Sequence, residues 1–76
     1  MDIEYSSTEC NIKIENNSQF VTYGIVAVNK MTEEKLAEFP DVSLSKDFVV
    51  SLTGLLNSCG VELCHFFDVV TDEINR

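Results

Sequence analysis

Tryptophan is absent from this 76-residue chain, proline occurs once, glycine three times and histidine once, and cations are few. Each scarcity closes off a class of function. Five Lys and Arg against 13 Asp and Glu give a formal charge of −8, and Lys13, Lys30, Lys35, Lys46 and Arg76 never cluster, so neither a phosphate backbone nor an anionic membrane surface has a complementary face. No nucleic-acid or membrane partner is expected. No apolar run approaches the 18 or more residues of a membrane-spanning helix, and the start MDIEYSSTEC has neither a basic nor an apolar segment of the signal-peptide kind. A cytoplasmic protein is the expectation. Gly24, Gly54 and Gly60 are isolated, so no phosphate-cradling loop exists, and no Asp-rich loop has calcium-binding spacing.

What is present is apolar side chain. At 45% apolar residues, with five Phe and two Tyr, the chain has the composition of a folded domain rather than a disordered one. Its length allows one core and one domain, with a stability of a few kcal/mol. Cys10, Cys59 and Cys64 are an odd number, which argues for reduced thiols rather than a disulfide framework. The extra stability a small chain needs would then come from packing or oligomerisation.

The first half alternates like strands. Cys10, Ile12 and Ile14 share one parity and Ile3 and Tyr5 the other, so a strand burying all of them needs a bulge between Ser6 and Glu9, unless the N-terminus is loose. Asn16, Asn17 and Ser18 provide a tight turn. A second strand from Phe20 to Asn29 carries Tyr23, Ile25 and Ala27 on one face and Val26 and Val28 on the other. A strand apolar on both sides belongs mid-sheet, with helices over one face and a second subunit over the other. Gly24 within it marks a bend or a close approach by another group.

Residues 31–40 carry two readings. Thr32 before Glu33 and Glu34 resembles a capped helix start, whereas a strand over Leu36 to Val42 tolerates Pro40 only at a sheet edge. From Ser43 the period becomes helical, with Ser43 or Ser45 as cap and Phe48, Leu52, Leu55 and Leu56 on a stripe beside Val49. Gly60 closes that helix in the left-handed conformation. Leu63, Phe66, Phe67, Val70 and Ile74 form the stripe of a second helix. The pattern describes an α+β domain, a three-stranded antiparallel sheet followed by two C-terminal helices packed on one face.

Val21-Thr22-Tyr23-Gly24-Ile25, Asp41-Val42-Ser43 and Cys64-His65-Phe66-Phe67-Asp68-Val69-Val70 together resemble a family of small proteins from anaerobic Gram-positive bacteria carried as a domain of unknown function. The resemblance runs from about Thr22 to Ile74 and implies a bacterial, cytoplasmic setting and a strand rather than a helix at Leu36 to Val42. It implies no activity. Glu62-Leu63 replaces the family's Ser-Pro before the last helix, which weakens that helix's cap, and Pro40 stands where proline is unusual.

Chemistry-bearing groups are sparse. His65 and Asp68, at i and i+3, could meet on one helix face and make an acid–base pair, yet no nucleophile accompanies them and a packing histidine accounts for the pattern; an enzyme is not expected. Cys59, Cys64 and His65 are zinc-type ligands, with Cys10 or a carboxylate as a fourth, but their spacing is not that of a zinc knuckle. They are expected as core cysteines, with no cofactor. Asp68, Asp72 and Glu73, with Glu33, Glu34, Glu38 and Asp41, make an acidic surface. The expected role is therefore a protein-interaction or regulatory module, a homodimer, contacting its partner through Phe20, Tyr23 and Ile25 of the sheet or Asp68 and Asp72 of the helix. The alternatives are a small-molecule site or enzyme near His65 and Asp68, also using Tyr23, and an acidic mimic of nucleic acid.

Overall fold

The computed structural model describes residues 2–13 and 18–75. Strands β1 (Ile3–Lys13), β2 (Gln19–Asn29) and β3 (Lys35–Ser43) precede helices α1 (Lys46–Cys59) and α2 (Leu63–Ile74). The three strands form an antiparallel sheet in the order β1-β2-β3. This is the architecture the periodicities describe, and residues 35–43 are the strand rather than the helix. Thr32 does not cap a helix. Its hydroxyl accepts from the Glu34 N–H at 3.3 Å within the β2–β3 turn, where Glu33 takes the left-handed conformation at φ 61°.

Left-handed backbone costs a side chain with a Cβ roughly 1–2 kcal/mol. Glu33→Gly is therefore expected to raise the unfolding free energy by about 0.5–1 kcal/mol once glycine's greater chain entropy is subtracted. Urea titration reads that gain directly.

The pairing of β1 with β2 is unbroken from Ile3↔Asn29 to Lys13↔Gln19, so the expected bulge between Ser6 and Glu9 is absent. Cys10 and Ile12 consequently lie on the face opposite Tyr5. The irregularities fall on the other side of β2, where the register with β3 shifts between Tyr23 and Ile25 and again between Ala27 and Val28. At the first shift β3 places three residues, Pro40, Asp41 and Val42, between the paired Phe39 and Ser43, against the single Gly24 between Ile25 and Tyr23 of β2. Pro40 sits in this slack segment, where its missing N–H breaks no regular ladder. Asp41 and the Ser43 carbonyl both accept from the Thr22 hydroxyl, which lets Thr22 be fully buried. The expected turn residues Asn16 and Asn17, and Ile14, lie outside the described residues.

Both helices pack on one face of the sheet. Its core joins Tyr5, Ile25, Ala27 and Val42 to Val49, Leu52 and Leu56 of α1 and Phe66 and Val70 of α2. The Ser45 side chain caps α1 by accepting from the Phe48 N–H, while Ser43 accepts from the Ser45 N–H. At the other end Gly60, at φ 61°, closes the helix with Gly60 N–H to Asn57 O and Val61 N–H to Leu56 O. That is the Schellman arrangement expected of a left-handed glycine.

The buried stripe of α1 is rotated from the expected one: Val49, Leu52, Thr53 and Leu56 point inward, and Leu55 is 45% exposed. Thr53 can be buried because its hydroxyl donates to the Val49 carbonyl at 2.7 Å. On α2 the buried residues are Phe66 and Val70, whereas Phe67 and Ile74 are exposed. Phe67 still stacks on Phe39 and Phe66 at 5.6 and 5.1 Å. Among the described residues no helix is long and apolar enough to cross a membrane.

Candidate functional site

Two features stand out once the helices are in place. The first is the sheet face they leave bare. Alternation puts Phe20, Thr22, Gly24, Val26 and Val28 of β2 on that face, with Cys10 and Ile12 of β1 opposite Thr22 and Phe20. Thr22 and Gly24 are roofed by the bulged β3 segment and are buried. On either side of that roof lie two apolar pairs, Ile12 with the 37% exposed Phe20, and the half-buried Val26 with Val28.

No core residue of β1 comes after Tyr5 and none of β2 comes before Thr22, so the Ile12–Phe20 end of the hairpin extends beyond the helices. A two-stranded ribbon outside a core is marginal alone. Charge borders these pairs: Lys35 and Glu38, opposite Val28 and Val26, form an exposed ion pair at 3.1 Å, the exposed Glu4 stands opposite Val28 on β1, and Asp41 accepts from Thr22 on the same face. Asp47, Glu62, Asp68 and Asp72 belong to the helices instead.

This geometry corrects the expected contact set. Phe20 is exposed, but Ile25 is wholly buried beneath the helices and Tyr23 is half-buried against the same core. The open face belongs to the β2 residues of the other parity, Phe20, Thr22, Gly24, Val26 and Val28. Asp68 and Asp72 are exposed on α2, as an acidic surface requires.

The second feature is a cleft of about 520 Å³ where the α1–α2 turn meets the start of β1. Ile3, Tyr5, Lys30, Asn57, Glu62 and Cys64 are among its lining residues. Tyr5 holds its wall: the ring lies 5.0 Å from that of Phe66, and the hydroxyl donates to the Val61 carbonyl at 2.7 Å. The Asn57 carboxamide pairs with the Tyr5 backbone through two 2.9 Å bonds, Tyr5 N–H to Oδ1 and Nδ2–H to the Tyr5 carbonyl. A helix side chain thereby takes the place of a strand on the free edge of β1. Burial, and after it the charge of Cys64, pushes the Tyr5 phenol above its ordinary range.

Sequence reasoning singled out neither Tyr5 nor Asn57 for this junction. The available signal was an asparagine, a poor helix former, in the last turn before Gly60.

His65 and Asp68, both exposed, share no hydrogen bond or ion pair, and neither they nor Tyr23 line the cleft. The cysteines are exposed free thiols, not core residues. At the opening of α2, Glu62 occupies the cap position without a side-chain hydrogen bond that caps the helix backbone, the weak cap expected of Glu62-Leu63. There Glu62, Cys64 and His65 place their ligand atoms within 4.8 Å of one another, and among the described residues Cys59 does not join them.

Fold and surface together define a small two-layer α+β domain with one covered and one open sheet face. A family model spans residues 1–76, and the chain belongs to that family, a family of unknown function (DUF6514). The resemblance read from the Tyr-Gly-Ile, Asp-Val-Ser and His-Phe-Phe-Asp-Val-Val segments is borne out. No curated protein and no solved structure matches the chain.

Proposed function

We propose that this protein acts by binding rather than by catalysis, as a protein-interaction module that pairs with a second copy of itself through its open sheet face. The observation that carries this reading is the apolar stripe of Ile12, Phe20, Val26 and Val28 on the face without helices. Burial of such side chains is worth on the order of 1.5–3 kcal/mol each when complete. A two-fold interface also presents each pair to its own symmetry mate.

Like-charge repulsion opposes association of chains carrying −8, and Glu4 and Asp41 contribute to it at the open face, but the helical acids sit on the other layer. They remain available to a basic partner, whose approach they would accelerate. Free, exposed thiols at Cys10, Cys59 and Cys64 fit a reducing compartment, in keeping with a bacterial cytoplasmic setting.

Val26→Glu places a charge within the stripe without touching the helical core. It is expected to weaken self-association by at least about tenfold, or 1.4 kcal/mol, with an unchanged circular dichroism spectrum. Sedimentation equilibrium measures the effect. Equal association of the variant and the parent chain would remove this face from consideration.

A further inference from the structure

The opening of α2 brings a carboxylate, a thiol and an imidazole to one point. Glu62 is the cap residue, Cys64 and His65 follow within the first turn, and the His65 N–H bonds to the Glu62 carbonyl at 2.9 Å. That turn holds their side chains on neighbouring directions. The Cys64 thiol already faces Glu62 Oε2 at 3.8 Å, and the three ligand atoms all lie within 4.8 Å of one another.

We propose that Glu62, Cys64 and His65 bind a divalent transition-metal ion of the zinc class, with the fourth coordination position left to water. The donor set of one sulfur, one nitrogen and one oxygen suits a borderline-soft dication and excludes calcium and magnesium, which take oxygen ligands. Charge also balances, since thiolate and carboxylate neutralise the dication while the imidazole stays neutral. Binding replaces the thiol proton by the metal and releases that proton to solvent. Tetrahedral bonds of about 2.0–2.3 Å put ligand atoms roughly 3.5 Å apart, so closing from 4.8 Å needs only side-chain rotation. All three residues are exposed, which leaves them free to rotate. Glu62 and Cys64 also line the cleft, so the ion would stand at its rim.

Cobalt(II) titration of the reduced, metal-free protein tests the site optically. A near-ultraviolet thiolate-to-cobalt charge-transfer band is expected, saturating at one ion per chain and bleached by an equivalent of zinc. Cys64→Ser should abolish the band, and Glu62→Gln or His65→Ala should weaken binding by at least about tenfold, the scale on which even outer-shell partners act. Cys10→Ser and Cys59→Ser should leave it intact. A band surviving Cys64→Ser, a band lost in Cys10→Ser or Cys59→Ser, or binding indifferent to all three ligand substitutions would overturn the assignment. None of these outcomes depends on the oligomeric state.

Discussion

Gly24→Ala is expected to lower the unfolding free energy by about 2–3 kcal/mol, the upper part of the range for forcing extra volume into a packed site. A Cβ built on Gly24 would collide with the Phe39 carbonyl oxygen and lie 2.5 Å from the Pro40 carbonyl oxygen and 2.7 Å from its carbon. These atoms are backbone, so no side chain can swing away. The β3 segment would have to lift, and with it would go the Asp41 and Ser43 acceptors of Thr22, leaving a buried hydroxyl unpaired. For a domain with on the order of 5 kcal/mol in total, Gly24→Val should not fold under native conditions. Urea titration of the alanine variant and circular dichroism of the valine variant measure both. A loss below about 0.5 kcal/mol for alanine, the level of an ordinary surface change, would mean that β3 does not cross Gly24 so closely.

Tyr5→Ala should cost about 3–5 kcal/mol, as other large aromatic truncations in cores do. It removes the ring stacked on Phe66 and the hydroxyl bond to Val61 that ties the α1–α2 turn to the sheet. Tyr5→Phe isolates the second contribution and should cost about 1 kcal/mol.

The same pair of chains gives a pH dependence. The folded phenol titrates above its ordinary value because of burial and then Cys64, so the protonated form is favoured by folding. Its contribution is complete below the unfolded value near pH 10 and is lost as pH rises through the folded one. Parent chain and Tyr5→Phe should therefore keep a constant difference in stability up to about pH 9 and converge only as the pH rises beyond about 10, through the folded value. A difference that stays constant there as well would show that the phenol is not held in its neutral form.

Much of the architecture is legible in the residues because two periods, 2 and 3.6, divide the chain near Ser43. Gly24 and Pro40 were each anomalous in a strand, one suggesting a close approach and the other a broken pairing. The structure makes them a single event, the bulged β3 backbone lying against the residue without a side chain. Which face of β2 is covered could not be read, since Ile25 and Val26 are both apolar and only the placement of the helices distinguishes them. The same holds for Cys10 and Ile12, whose parity suggested a core position. The core follows the helices and ends near Tyr5 on β1, so an unbroken register leaves them outside.

Exposure of the cysteines was equally illegible, because a thiol packs as readily as it is solvated. The convergence of Glu62 with Cys64 and His65 depends on where α2 begins to turn, and the boundary of a helix is the part that residue pattern fixes least.

The open sheet face carries the functional reading, and solution mass tests it most directly. Light scattering across protein concentration, under reducing and metal-free conditions, should show a mass rising to twice the 8.5 kDa of one chain, and Val26→Glu should hold it at the single-chain value. A parent chain that remains at 8.5 kDa at every concentration would contradict self-association through this face.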